Sequence, residues 1–295
     1  MTDIALNEKQ SLSLKTSFTG SYHEIFIVFV TSVSAASCLI LDQDIPLYLQ
    51  NFLGLSAWTV LLTFLMFESR QVQAQVLIAV AFATVGEYYA SIFMEGYTYR
   101  LANVPAFVPP GHGMIYLSAV AMGRSEIFKN YYKAVMGFAL VGGGLWVVWG
   151  LTLASQQDVL GALLFGILLM FLWKGKSAPV YLGAFYITTY LEWVGTLAGT
   201  WTWAPIDPIA GLPQGNPPSG VAAWYCLVDA VALSGAPFLL TLVTRIKHWK
   251  LVTFIIQIEE WLVHDIKVVL YVLKHYADEK VPQRIPVPVK IKGRL

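Results

Sequence analysis

VGEYYASIFMEGYTYRLANVPAFVPPGHG, Val85 to Gly113, is the stretch on which the fold turns. It begins inside an apolar run with a carboxylate, Glu87. It passes through a tyrosine-rich turn and ends with His112 between Gly111 and Gly113, behind two prolines. About 105 residues later a related phrase follows, YLEWVGTLAGTWTWAPIDPIAGLPQGNPPSG, Tyr190 to Gly220. Glu87 falls on Glu192, each followed by an aromatic, Tyr88 and Trp193. Tyr97-Thr98-Tyr99 falls near Trp201-Thr202-Trp203, and Pro109-Pro110 near Pro217-Pro218. Chance similarity between greasy segments explains apolar matches. It explains less well a glutamate, an aromatic-Thr-aromatic triplet and a proline pair in one order. The chain is therefore read as an internal duplication.

The composition says where such a chain lives. Of 295 residues, 57% are hydrophobic and 13% charged, against roughly 25% charged in a soluble domain. The apolar runs are about 18 to 24 residues long, enough to cross a hydrocarbon core of about 30 Å. In lipid each backbone polar group must be satisfied within the protein, which favours helices. The expected fold class is an all-α integral membrane protein with about eight transmembrane helices. The spans are placed at 24–41, 52–68, 73–95, 105–123, 131–154, 158–173, 178–199 and 220–244. Residues 1–23 are polar and lack a signal-peptide pattern, so they are read as a cytoplasmic N-terminal segment. Residues 24–123 form one four-span repeat and 124–245 the other. With four spans each, both halves take the same orientation, and the axis relating them is expected along the membrane normal.

Charge sets the orientation. Lys9, Lys15, Arg70, Arg124, Lys129, Lys133, Lys174, Lys176, Arg245, Lys247 and Lys250 fall in alternate loops. The other loops hold mainly Asp42, Asp44, Asp158 and Asp207, with Arg100 as their one basic residue. The positive-inside rule puts both termini in the cytoplasm. Residues 246–280 carry Leu251, Phe254, Ile255, Ile258, Leu262, Ile266, Val269 and Leu273 at helical spacing. They are read as a cytoplasmic amphipathic helix. The tail, 281–295, alternates proline with basic residues and is read as extended. Helix and tail together are the expected docking element for a protein partner. A net charge of +1 without runs of Lys and Arg leaves no phosphate-binding stripe and no nucleic-acid partner. Cys38 and Cys226 lie within apolar spans, and CxxC or Cys/His zinc spacing is absent. No metal and no cofactor are expected.

The candidate chemistry lies in the outer halves of the spans. At 1.5 Å per residue, Glu87, Glu192 and Asp229 sit about 10–15 Å below the outer edge. Charges at that depth are costly unless paired or solvated, so the three carboxylates are expected around one chamber. Two readings stay open for each: acid–base or ion-handling chemistry, or a hydrogen-bonding role holding a loop. Asp229 and His112 have no counterpart in the other half. The prolines of VPPGHG are expected to bend the chain, with a helix starting near Gly113 and His112 beside its N-terminus. Arg100 is read as pairing with an acidic residue or a lipid headgroup. Tyr97, Tyr99, Trp201 and Trp203 form either an interfacial aromatic belt or a platform for an isoprenoid or acyl chain. Tyr225, one turn before Asp229, is expected to share its wall and to offer its hydroxyl.

The segment YRLANVPAFVPPGHGMIYL, residues 99–117, resembles a class of uncharacterised bacterial polytopic membrane proteins that carry it. Glu87, Gly96-Tyr97-Thr98-Tyr99 and Val104-Pro105 are also distantly similar to the carotenoid hydratase family, carotenoid biosynthesis membrane proteins that add water to isoprenoid ends. The VPPGHG segment and the second loop depart from that family's pattern. The resemblance implies a bacterial inner membrane and a lyase- or hydratase-like activity, with a carboxylic acid as proton donor. The leading expectation is a membrane-embedded enzyme acting on a lipid or isoprenoid in an outward-facing chamber. Glu87 or Asp229 donates the proton, Glu192 serves as base or electrostatic partner, and His112 orients water or a headgroup. A transporter or channel using the same carboxylates, and a non-catalytic scaffold or assembly factor, are the alternatives.

Overall fold

Gly199 and Glu95 show how the chain turns at the ends of two long helices. The structure, a computed structural model, describes residues 2–246 and 250–277. Helix α8 (Ala178–Leu197) ends with Gly199 at φ +70°. The N–H of Thr200 reaches the carbonyl of Gly195 and that of Gly199 the carbonyl of Thr196, a Schellman closure that satisfies the last carbonyls. Two residues later strand β2 (Trp201–Trp203) begins. Helix α3 (Arg70–Glu87) runs on through a π-helical segment, Tyr88–Phe93. It reverses at Glu95, φ 55°, and strand β1 (Tyr97–Tyr99) begins two residues later. The two strands pair antiparallel, Tyr97 opposite Trp203, Thr98 opposite Thr202 and Tyr99 opposite Trp201.

The remaining elements are helices α1 (Thr2–Leu41), α2 (Leu47–Leu65), α4 (Val108–Arg124), the short α5 (Glu126–Asn130), α6 (Tyr132–Thr152), α7 (Val159–Lys174), α9 (Trp224–Ile246) and α10 (Lys250–Ala277). Among the described residues, five segments are long and apolar enough to cross a membrane: Tyr22–Leu41, Leu47–Leu65, Arg70–Phe93, Tyr132–Thr152 and Val221–Arg245. The chain is a helical, multi-span protein of membrane character. Helices α4, α7 and α8 fall outside that set. α7 has only 16 residues. α4 and α8 are packed on several sides by α1, α3, α7 and one another. A helix ringed by protein meets little lipid, so it needs less hydropathy than its neighbours.

Helix α4 corrects the reading of VPPGHG. It starts at Val108, not near Gly113, with Pro109 in its first turn. Those positions have no intrahelical N–H partner, so proline costs nothing there. His112 therefore lies on the helix rather than before it. Gly113 lets α4 close on α2 and α3: a Cβ there would lie 2.6 Å from Leu61 and 2.7 Å from Val80. At the opposite end Arg124 donates to Glu68 and Glu24, tying α4 to α1 and to the turn between α2 and α3.

The chain divides into two compact units, Met1–Leu240 and Thr241–Leu295. The first holds every element up to the middle of α9. The second holds the end of α9 and α10, a helix of 28 residues with Ile258, Trp261 and Val269 exposed. Within the segment read as an amphipathic helix, Lys250–Ala277 is helical. Residues 247–249, 278–280 and the tail 281–295 lie outside the described residues.

Candidate functional site

Glu87 is the last residue of α3 before the π-helical segment, a kind of helix irregularity that recurs at functional sites. Its Oε2 accepts the hydroxyls of Tyr97 and Tyr99, each at 2.6 Å. Its Oε1 lies 2.7 Å from Nε2 of His112. Nδ1 of His112 lies 2.7 Å from the Tyr225 hydroxyl. The histidine tautomer follows from these partners. A carboxylate already accepting two phenolic protons takes Nε2–H as a third, which turns the Nδ1 lone pair to Tyr225. Three elements, α3, α4 and α9, thus bring a carboxylate, an imidazole and a phenol into one chain. Burial, and next the Glu87 carboxylate, push the Tyr97 and Tyr99 phenols well above the ordinary tyrosine value. Both remain neutral donors.

Glu192 on α8 is built the same way from different parts. Its Oε2 accepts the indole N–H of Trp201 at 3.1 Å and of Trp203 at 3.2 Å. Gly195 makes room for this. A Cβ there would collide with the Trp201 ring. The aromatic rings of the paired strands then interleave, Tyr97 on Trp203 at 4.5 Å between centroids and Tyr99 on Trp201 at 5.9 Å. Tyr97 and Tyr99 are buried. All four polar tips turn to the glutamates, as a belt facing only the membrane interface would not.

These groups border a cavity of about 610 Å³, within the range of roughly 300–1,000 Å³ typical of small-molecule sites. Its wall is otherwise mostly apolar, with Leu39, Phe107, Ile115, Leu164, Leu191 and Trp224 among the lining residues. Gly111, beside His112, opens onto free space, since a Cβ there would meet nothing within 4 Å. No family model, curated protein or solved structure matches this chain.

Of the sequence candidates, Glu87, His112, Glu192, Tyr97, Tyr99, Trp201, Trp203 and Tyr225 line this one cavity. Asp229 and Arg100 do not. Asp229 is 1% exposed and accepts the Tyr116 hydroxyl at 2.8 Å, one turn along α4 and α9 from the His112–Tyr225 contact. The expected Tyr225–Asp229 pairing is not what forms. Side chains on a helix lean toward its N-terminus, so Tyr225 leans away from Asp229 and toward His112. Arg100 donates to the Ile45 carbonyl at 2.7 Å and lies 3.4 Å from Asp42, which fixes the outer loops. Among the described residues no cluster of three or more His, Cys, Asp or Glu side chains is suited to a metal.

Two residues with structural importance escaped the sequence reading. Asp158 caps α7 through Gly161 and also accepts the N–H groups of Gly215 and Ser219, each at 2.7 Å. Asp42 accepts from Gln50, whose own side chain accepts from Asn103. Each aspartate follows an apolar span and ties that loop to the one preceding α9 or α4. The signal available in sequence was their matching place, an aspartate in the loop after the first span of each half.

Proposed function

We propose that this protein is a membrane-embedded enzyme performing acid–base chemistry on a lipid or isoprenoid held in the chamber. The observation that carries this reading is the Tyr225–His112–Glu87 hydrogen-bond chain set into a mostly apolar cavity. A carboxylate that orients an imidazole, with a hydroxyl on the other ring nitrogen, is the arrangement by which proteins move protons at a reacting group. In the acid direction the chain starts from a His112 imidazolium: the Tyr225 proton passes to the substrate while Nδ1–H reprotonates the phenolic oxygen, leaving the neutral Nε2–H tautomer. In the base direction the same chain runs backwards. Glu87 remains a carboxylate, holding the charge of the imidazolium, with Tyr97 and Tyr99 fixing it in place. Glu192 acts as the anchor of the opposite wall. Proton delivery to an alkene carbon, as in a hydratase-like or lyase reaction, suits an apolar cavity of this kind.

The wider reading is of eight spans in two parallel four-helix repeats, α1 to α4 and α6 to α9, in a bacterial inner membrane with both termini cytoplasmic. The antiparallel pairing of β1 with β2 about the Thr98–Thr202 pair supports a two-fold relation. So do the two glutamates that each receive the polar tips of their own strand, and the two loop-tying aspartates. A cysteine placed at Thr98 should react with an impermeant thiol reagent in intact cells, and one at Lys129 only after lysis. The reverse pattern would invert the topology.

The function is tested by comparing lipid extracts from cells carrying wild-type protein, His112→Ala protein and no protein. The expected result is that the last two share an accumulated precursor missing from the first. Identical lipid profiles in all three would remove the enzyme reading.

A further inference from the structure

The chamber wall includes side chains that belong to the outside of the protein. On α7, Leu163, Gly166, Ile167 and Met170 form the exposed face; Ile167 also lines the cavity. On α9, Leu227, Ala230, Ser234 and Phe238 form the exposed face; Leu227 also lines the cavity. In the π-helical segment, Tyr88, Tyr89, Ile92 and Phe93 are exposed, and Tyr89 lines the cavity. The three residues are 40%, 47% and 51% exposed in the order Ile167, Leu227, Tyr89. A residue on the outward stripe of its helix reaches a cavity only where that cavity breaks through the surface. Tyr89 and Leu227 lie in the membrane-crossing segments Arg70–Phe93 and Val221–Arg245, and Ile167 in the apolar helix Val159–Lys174. On the side of these three residues the break therefore faces the bilayer; Ile209 and Ala210, exposed residues of the loop between β2 and α9, line the cavity elsewhere.

We infer that the chamber is loaded sideways from the membrane through a mouth framed by Tyr89, Ile167 and Leu227, and that its occupant is a long-chain amphiphile. The inference rests on the chamber being the reactive site. Its occupant follows from what surrounds the mouth. Three apolar or amphipathic side chains on lipid-facing stripes offer no charge to a water-soluble solute, and the molecules present at that surface are lipids. The cavity, at about 610 Å³, is the size of a site for one drug-sized ligand. A long chain thus inserts one end and leaves the rest in the bilayer. The inserted end meets Tyr225 and His112, while the aromatic side of Tyr89 packs along the chain at the threshold.

The test uses the full-length protein in phosphatidylcholine nanodiscs containing a long-chain alcohol with a diazirine near its tail end. Irradiation should attach the probe to inner-wall residues such as Ile115 and Trp224, read by peptide mass spectrometry. Ile167→Trp and Leu227→Trp, each on a lipid-facing surface, should cut that inner labelling by about tenfold. Labelling of the outer face at Phe238 should stay unchanged and serves as the control for folding and insertion. Inner labelling that both tryptophans leave intact would overturn the side entry while leaving the acid–base reading in place. Absence of inner labelling in the wild type would overturn the long-chain occupant. His112→Ala should keep the labelling and lose lipid conversion. That result separates entry from chemistry.

Discussion

Glu87 and Glu192 occupy matching places and have different company. Each ends near a strand of its own and takes the polar tips of that strand's aromatics. Glu87 uses one oxygen for Tyr97 and Tyr99 and gives the other to His112. Glu192 uses one oxygen for Trp201 and Trp203, and among the described residues no histidine hydrogen-bonds to it. Indole N–H groups donate and cannot accept or exchange protons in this role, whereas a phenol and an imidazole can do both. The comparison teaches that matching position alone does not decide what a carboxylate is connected to. What distinguishes Glu87 is the titratable chain attached to it.

The sharpest way to break that contrast is to remove the chain and the anchor separately. His112→Ala and Glu87→Gln should each lower lipid conversion by about 10²–10⁴-fold, the usual range for lost acid–base catalysis. Glu192→Gln should lower it by less than about tenfold, since an amide oxygen still accepts the indoles. Equal losses at both glutamates would make the two sites functionally alike. Rates measured in nanodiscs, with the precursor identified from cell extracts, decide this.

Stability should show the anchoring role of Glu192. Glu192→Ala leaves two indole donors without their acceptor, costing about 1–3 kcal/mol per unsatisfied group. Thermal unfolding in detergent should show the drop, with Glu192→Gln close to wild type. A smaller contrast concerns the two glycines around His112. Gly113→Ala forces a methyl against Leu61 and Val80 and should destabilise by about 1–3 kcal/mol, the cost of overpacking. Gly111→Ala, pointing into open space, should melt within about 0.5 kcal/mol of wild type, as substitutions away from special features do. A small effect on conversion is also expected at Asp229, outside the chamber. Asp229→Asn retains an acceptor for Tyr116 and should leave conversion within about tenfold of wild type. A loss as large as that of His112→Ala would bring Asp229 back into the chemistry.

Much of this was legible in the sequence. The recurrence of Glu and aromatic-Thr-aromatic singled out both glutamates and both triplets, and the glycines around His112 singled out the histidine. The glutamates, the aromatics of the triplets and the histidine meet around one cavity, while the pairing of the triplets as strands was absent from an all-α reading. The helical membrane character followed from the apolar runs. Several things were hidden. Proline in VPPGHG looked like a break, because a sequence does not say whether prolines fall in a helix's first turn or later. Asp229 looked like a chamber residue because depth along a helix does not fix which neighbours it meets; Tyr116, four residues after His112, meets it instead. The partner of Tyr225 depended on the lean of its side chain toward the helix N-terminus. The π-helical segment and the left-handed Glu95 had no sequence signal.

The central claim is that the Tyr225–His112–Glu87 chain faces a lipid chain inside the chamber. An experimental map of the protein extracted directly into native-membrane nanodiscs tests it most directly. The account predicts elongated density entering between Tyr89, Ile167 and Leu227 and ending against the Tyr225 hydroxyl and His112. A chamber occupied by a hydrated ion, or closed by its own side chains with Tyr225 turned away from His112, would contradict it.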